Sequence, residues 1–488
     1  MSTPLAATRS GRRAVLAAMG GLAVFGRGLR AAARGVRPVR FAFFGTPSER
    51  RAYEQLVAAF EEAHPDITVE LVALDSGDAA LNLAALKSAP NRPWLLRGGS
   101  YQPWLWRELA TPTAPDVFML SYQRLPAYAA RGVLEPLAPR LRASASLHAD
   151  DFYPGAIDAF RSADVADDGL AAMPLNASSL VVYYNRDLFA QQNVPLPEDG
   201  WDWEAFATAA ETLTAKRDEQ GKTAVHGLAV EPRLSRSAAY VWGAGGDLVD
   251  DHQRPTRLTL EEPLAQDGLQ RFAELGPAGR NVTPTSIETR EMNDLARFIS
   301  GRAAMFIHTR RVVPVLREAT RLNWDVASLP TGPSAANVLH SDGLCMLDGA
   351  RDKDAAWTFI EFAVGPIGQA VLAMTGRTVP SLQQIAESDE FLRGTSRQFQ
   401  FGGKPLGLGP ERARVYLDNI PISRRLPLIA TLPSVEGVFD RAFQQAFYVD
   451  ADVRLAAASI SRDVQGMLGD RLTVPRYLSR EGVVEREE

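Results

Sequence analysis

Residues 173–206 read MPLNASSLVVYYNRDLFAQQNVPLPEDGWDWEAF. An apolar run, Leu180 to Tyr184, ends in Asn185-Arg186-Asp187 and is followed by a short amphipathic piece and a proline-rich turn. Asp202 then stands where a helix N-cap is expected, because its carboxylate can accept from the free amides of the first turn. Trp203, Phe206, Ala207, Ala210 and Leu213 recur at helical spacing, which predicts one buried face. The order is strand, polar break, short helix, proline loop, tryptophan-bearing helix.

The same alternation runs outward in both directions. Residues 39–44 read as a buried strand, and a helix with Tyr53, Leu56, Val57 and Phe60 on one face follows. Residues 67–71, ITVEL, alternate as a half-buried strand, so the opening predicts a right-handed parallel β-α-β crossover. Residues 115–120 give a third strand, 292–300 a helix stopped by Gly301, 303–307 a strand, and 355–364 a helix bearing Trp357, Phe359, Ile360 and Phe362. Strands alternating with helices throughout indicate an α/β architecture.

Several segments taken in order resemble the carbohydrate-binding proteins of ABC importers, the family that includes maltose-binding protein. FAFFGTPSERRAYEQLVAAFEEAHPDITVELV (41–72) resembles the family's opening strand-helix-strand. APDVFML (114–120) with ARGVLEPL (130–137), WGAGGDLVDD (242–251), SGRAAMFIH (300–308), WDVASLPTGP (324–333) and MTGRTVPS (374–381) follow in the family's order. The likeness covers residues 39–381 clearly and the C-terminal third weakly. It implies a two-lobed periplasmic-binding-protein fold whose discontinuous lobes are joined by crossing hinge strands. The first lobe is expected to take 37–172 and 341–398, and the second 173–340 and 399–480, with 481–488 a charged tail. The resemblance also implies closure of the lobes around a ligand.

A chain of 488 residues exceeds one ordinary core, which agrees with two lobes. Hydrophobic content of 46% and charged content of 23% are those of a globular protein. A net charge of −5 argues against a nucleic-acid or anionic-membrane partner. The lone Cys345 cannot form an intramolecular disulfide and reads as a small buried thiol in a strand.

The first residues read as an export signal. Arg12-Arg13 precede a modest apolar run, 14–25, too short to span a bilayer, and Ala31-Ala32-Ala33 offers small residues for cleavage. The pattern resembles a twin-arginine signal over 1–36. No cysteine follows the apolar run, so a lipid anchor is not expected. A periplasmic or extracellular mature protein is.

One segment departs from the family. Between Val72 and Pro115 lies a long connection with Trp94, Tyr101, Trp104 and Trp106 among Arg92, Arg97 and Arg107. It reads either as a lid over the first lobe or as packing on a neighbouring helix.

Catalytic and cofactor motifs are missing. There is no phosphate-binding G-x-x-x-x-G-K-[ST] loop, no H-E-x-x-H and no G-x-S-x-G elbow, and the six histidines are scattered. Neither a cofactor, a metal nor catalysis is expected. Tyr183 and Tyr184 point to opposite faces of a strand, so they cannot both hold one ion. What remains is recognition of a carbohydrate, which needs aromatic plates beside polar groups. The resemblance implies a monomer that delivers its ligand to an ABC permease. A sensor partner of a membrane kinase and a secreted carbohydrate-active enzyme are the alternatives.

In open α/β sheets ligands bind where strands end. The candidate contacts are therefore Thr46 and Glu49, Ser121 and Tyr122, Asn176 and Ser178, Thr309 and Arg310, Ser341 and Asp342, and Arg377. Trp242 joins them as the expected sugar stack, because Gly243, Gly245 and Gly246 leave little side-chain bulk beside it. Trp201 and Trp203 are expected to be structural, and His308 an ordinary strand-end histidine. Arg310, Arg311 and Arg377 leave room for an acidic sugar or a phosphorylated polyol.

Overall fold

The computed structural model describes residues 36–45, 47–75, 101–214, 224–252, 254–392, 410–449 and 452–468. The twin-arginine segment, Thr46, the first part of the tryptophan-rich connection and the charged tail lie outside these residues. In chain order the strands are β1 (Arg37–Gly45), β2 (Ile67–Asp75), β3 (Val117–Ser121), β4 (Met173–Pro174), β5 (Val181–Asn185) and β6 (His226–Ala229). They continue with β7 (Ala303–His308), β8 (Trp324–Ala327), β9 (Asn337–Val338), β10 (Asp342–Met346) and β11 (Ser423–Arg424).

Phe41, Ala42 and Phe43 in β1 are all fully buried, as are Val117, Phe118 and Leu120 in β3. Burial on both faces is why these strands read as continuous apolar runs. The helix Pro47–Ala63 carries the chain from β1 to a parallel β2, as expected, and β3 pairs parallel on the other side of β1. β10 adds antiparallel to β3 and β4 antiparallel to β10, giving the order β2-β1-β3-β10-β4. The helix Lys353–Val364 packs on this sheet and buries Trp357, Phe359 and Ile360. Cys345 is buried in β10, and burial pushes its thiol well above the usual range.

A second sheet has the order β6-β7-β5-β8, with β5 antiparallel to both neighbours. Side-chain alternation along β5 sends Val181 and Tyr183 into one buried cluster, and Val182 and Tyr184 into another. The predicted helix is present over Trp203–Leu213. Asp202 accepts from Ala205 N at 2.7 Å, and Phe206, Ala207, Ala210 and Leu213 are buried. The helices Leu432–Val449 and Val453–Leu468 pack against the same core.

Two stretches link the sheets. Residues 175–180 run from β4 to β5, and residues 339–341 return from β9 to β10. Ser178 and His340 exchange both backbone hydrogen bonds, at 2.8 and 2.7 Å, and Ala177 N donates to Val379 O at 3.0 Å. Met173 and Pro174 thus sit in the first sheet, and the crossing begins just after the boundary expected at 172. Asn337, fully buried, holds the crossing from the side: its Oδ1 accepts from Leu180 N at 3.0 Å and its Nδ2 donates to Leu180 O at 2.8 Å.

Candidate ligand-binding site

The carboxyl-terminal ends of β1, β3, β6 and β7 open onto one cavity of about 780 Å³ between the two sheets. The first lobe supplies Phe44 from β1, Ser121 at the end of β3, and Tyr101, Gln102 and Trp106 from the helix Tyr101–Glu108. The crossing stretches supply Asn176, Ser178, His340, Ser341 and Asp342. The second lobe supplies Glu231, Arg233 and Arg236 beyond β6, His308 and Thr309 at the end of β7, and Glu436 from the helix Leu432–Val449.

Seven expected residues meet here: Ser121, Asn176, Ser178, Thr309, Ser341, Asp342 and Arg377. Asn176 is held in place by Asp342, whose backbone amide donates to Asn176 Oδ1 at 3.1 Å while Asn176 Nδ2 donates to Asp342 Oδ2 at 3.4 Å. The Thr309 carbonyl accepts from Tyr183 OH at 2.9 Å, and its hydroxyl lies 3.4 Å from His308 Nδ1. Arg377 is ion-paired with Glu49, and both side chains are nearly buried. Glu49 therefore stands behind the wall, anchoring a lining residue.

Three other expected contacts point elsewhere. Tyr122 is fully buried; its hydroxyl donates to Leu339 O at 3.0 Å and accepts from Leu426 N at 3.0 Å. Arg310 is only 1% exposed, because its Nε donates to Gly376 O at 2.9 Å and its guanidinium lies over Phe391 and Tyr416. Trp242, in place of the expected sugar stack, is 2% exposed inside the second lobe. Its Nε1 donates to Asp247 Oδ1 at 3.1 Å, and the Arg424 guanidinium covers its ring at 4.7 Å. The glycines beside it serve packing: a Cβ on Gly243 would meet Trp203 Cζ2 at 2.9 Å, and one on Gly246 the Ala265 backbone at 2.5 Å. Trp201 and Trp203 are structural as expected, Trp203 stacking on Tyr240 at 5.4 Å.

The tryptophan-rich connection both packs and lines. Tyr101 is buried, its hydroxyl donating to Ala42 O at 3.2 Å and Met119 O at 2.9 Å, so it ties the helix to β1 and β3. Trp106 lies 3.8 Å from the Tyr128 ring and 4.0 Å from the Arg131 guanidinium. Trp106 is thus held by both groups and lines the cavity.

Burial shapes the charges. Arg236 is pushed down to about 10 and Arg311 to about 9, both by desolvation, so both stay protonated at neutral pH. Desolvation raises Glu436 to about 7 and also raises Asp294. It pushes His340 down to about 3 and His308 well below its usual value, so both imidazoles are neutral. His308 lines the cavity rather than merely ending a strand. Among the described residues no group of three or more His, Cys, Asp or Glu side chains could hold a metal ion.

Applying the strand-end rule after β6, in the sequence AVEPRLSR, would have found Glu231, Arg233 and Arg236. Glu436 had no such signal, because its place depends on where a distant helix docks.

A family described as bacterial extracellular solute-binding protein matches residues 55–395. The chain is 25% identical over 325 residues to the mannitol-binding protein of Pseudomonas aeruginosa, across 64% of this chain and 65% of that one. Its fold is similar to that of an ABC substrate-binding protein of Listeria monocytogenes in complex with cycloalternan, with a TM-score of 0.72 at 19% identity over 89% of this chain and 99% of that one. UgpB of Mycobacterium tuberculosis in complex with glycerophosphocholine is similar with a TM-score of 0.66, at 19% identity over 89% of this chain and 99% of that one.

Proposed function

This chain belongs to the bacterial extracellular solute-binding protein family, and from that premise we propose that it captures a carbohydrate or polyol between its lobes and hands it to an ABC permease. The observation that carries the reading is the cavity itself. It is walled by both sheets and floored by the crossing stretches, with Asn176, Ser178, Ser341 and Asp342 lining one volume. These amide, hydroxyl and carboxylate groups suit a polyhydroxylated ligand, and the aromatic residues Tyr101, Trp106 and Phe306 add apolar lining for its C–H groups. The mannitol-binding relative and the cycloalternan-bound neighbour agree in ligand class.

On this reading the protein works as a monomer outside the cytoplasm, reached by the twin-arginine route, with no nucleic-acid partner and no turnover. Ligand that touches both lobes binds the closed form better than the open one, and that difference is what a permease would read. A sugar and polyol panel tests it by melting temperature and small-angle scattering. A cognate ligand at a hundredfold excess over Kd stabilises the native state by about 2.7 kcal/mol, and the particle should become more compact in the same titration. A panel that leaves both observables unchanged would sink the proposal.

A further inference from the structure

Six arginines face four carboxylates around the cavity. Most of the charges are already committed. Arg377 pairs with Glu49 and Arg233 with Glu231. Arg131 lies over Trp106 and donates to Ala127 O at 2.8 Å, while Asp342 accepts from Asn176. Arg124 from the first lobe and Arg236 from the second are different: among the described residues neither side chain has a hydrogen bond or an ion pair. The carboxylates of Glu231, Asp294 and Asp440 act on the Arg236 guanidinium without forming an ion pair with it, so its five donors are left for an anionic group of the ligand.

We infer that the ligand carries an anionic group, a carboxylate or a phosphate, that Arg236 binds, with Arg124 facing it from the opposite lobe. This rests on the sugar-binding reading and narrows it to acidic or phosphorylated sugars and polyols. Arg236 lies in the first turn of the helix Leu234–Gly243, beside Ser235, so the helix end adds its own partial positive charge there. His340 stands close enough for the Arg236 charge to act on it, and its Nε2 is buried without a hydrogen-bond partner among the described residues.

The carboxylates in the wall do not make an equal case for a cation. Glu231 and Asp342 are engaged as described. Glu436 and Asp294 are held toward their neutral forms by burial, whereas the arginines keep their charge. Among the lining residues the arginines outnumber the carboxylates six to four.

The test pairs neutral compounds with their acidic twins by calorimetry on the mature protein: glucose with glucuronate and glucose 6-phosphate, galactose with galacturonate, glycerol with glycerol 3-phosphate, and spermidine as the cationic arm. The expected result is that at least one acidic member binds about ten- to a hundredfold tighter than its neutral twin, the range for one charge-assisted contact. The uronate and phosphate arms tell the two sources apart. Arg236→Gln should erase that margin, so that the acidic member binds no tighter than its neutral twin. Added salt should weaken only the acidic member. Equal or better binding of the neutral twins overturns the anionic inference and leaves the sugar reading standing, whereas spermidine alone binding, or a silent panel, overturns both.

Discussion

Replacing Trp242 with alanine should cost stability and spare ligand affinity. The indole is 2% exposed, so truncation empties a packed volume, which costs about 3–5 kcal/mol for a large aromatic. The lost Arg424 contact adds about 0.5–1 kcal/mol. No orphan polar group adds to this, because Asp247 keeps His252 at 2.8 Å and Arg424 at 2.6 Å. If the second lobe unfolds as one unit of roughly 220 residues, a loss of 4 kcal/mol lowers its melting temperature by about 8 °C, or by about 4 °C if both lobes melt together. Trp242→Phe keeps most of the ring volume and should lose only about 1 kcal/mol with the indole hydrogen bond. Scanning calorimetry gives the stability, and titration calorimetry of the folded fraction gives the affinity. A Trp242→Ala protein that melts like wild type but binds its ligand tenfold or more weaker would refute the assignment of this residue to the core.

Asn337→Ala would leave the amide and carbonyl of Leu180 buried and unpaired, at roughly 2–4 kcal/mol for the two groups; urea unfolding at unchanged slope measures it, and a loss under 0.5 kcal/mol would deny Asn337 its role in holding the crossing. His226 is buried and held at about 4 in the folded state by desolvation, against 6.5 when unfolded. Its contribution, about 3 kcal/mol at most, is fully present above pH 6.5 and lost as pH falls toward 4. His226→Gln should therefore flatten the fall in melting temperature over that window, and an unchanged slope would count against it. Glu436 runs the other way: raised to about 7, it costs stability as pH rises from 4.5, so Glu436→Gln should gain stability at pH 8 but not at pH 4.5. Arg12→Lys with Arg13→Lys should retain precursor in the cytoplasm, and normal export of that double mutant would leave the general secretory route.

Much of the architecture was legible because it rests on local physics. Runs such as FAFF and VFML announce strands buried on both faces, and Asp202 caps its helix for reasons contained within four residues. The split of Tyr183 and Tyr184 between two cores follows from strand periodicity alone. The boundary expected at 172 falls just before β4, because this apolar, two-residue strand gives no pattern that says which sheet it joins.

The site was legible only where one geometric rule was kept. In a strand-helix unit the helix starts at the crevice and ends on the far side of the lobe. Residues taken from strand ends, among them Ser121, Thr309 and Ser341, therefore reached the cavity. Trp242 was chosen for its glycine neighbours instead, and it sits on the last turn of the helix whose first turn carries Arg236. Six residues of helical rise, ~9 Å, separate the two, and that distance is enough to move a residue from the ligand's wall to the lobe's interior. The same rule explains Arg310 and Tyr122. Each follows a residue that lines the cavity, Thr309 and Ser121, but its own side chain turns inward to the packing beneath. Proximity in sequence to a lining residue does not by itself place a side chain in the cavity; the end of the element, and the face, decide it.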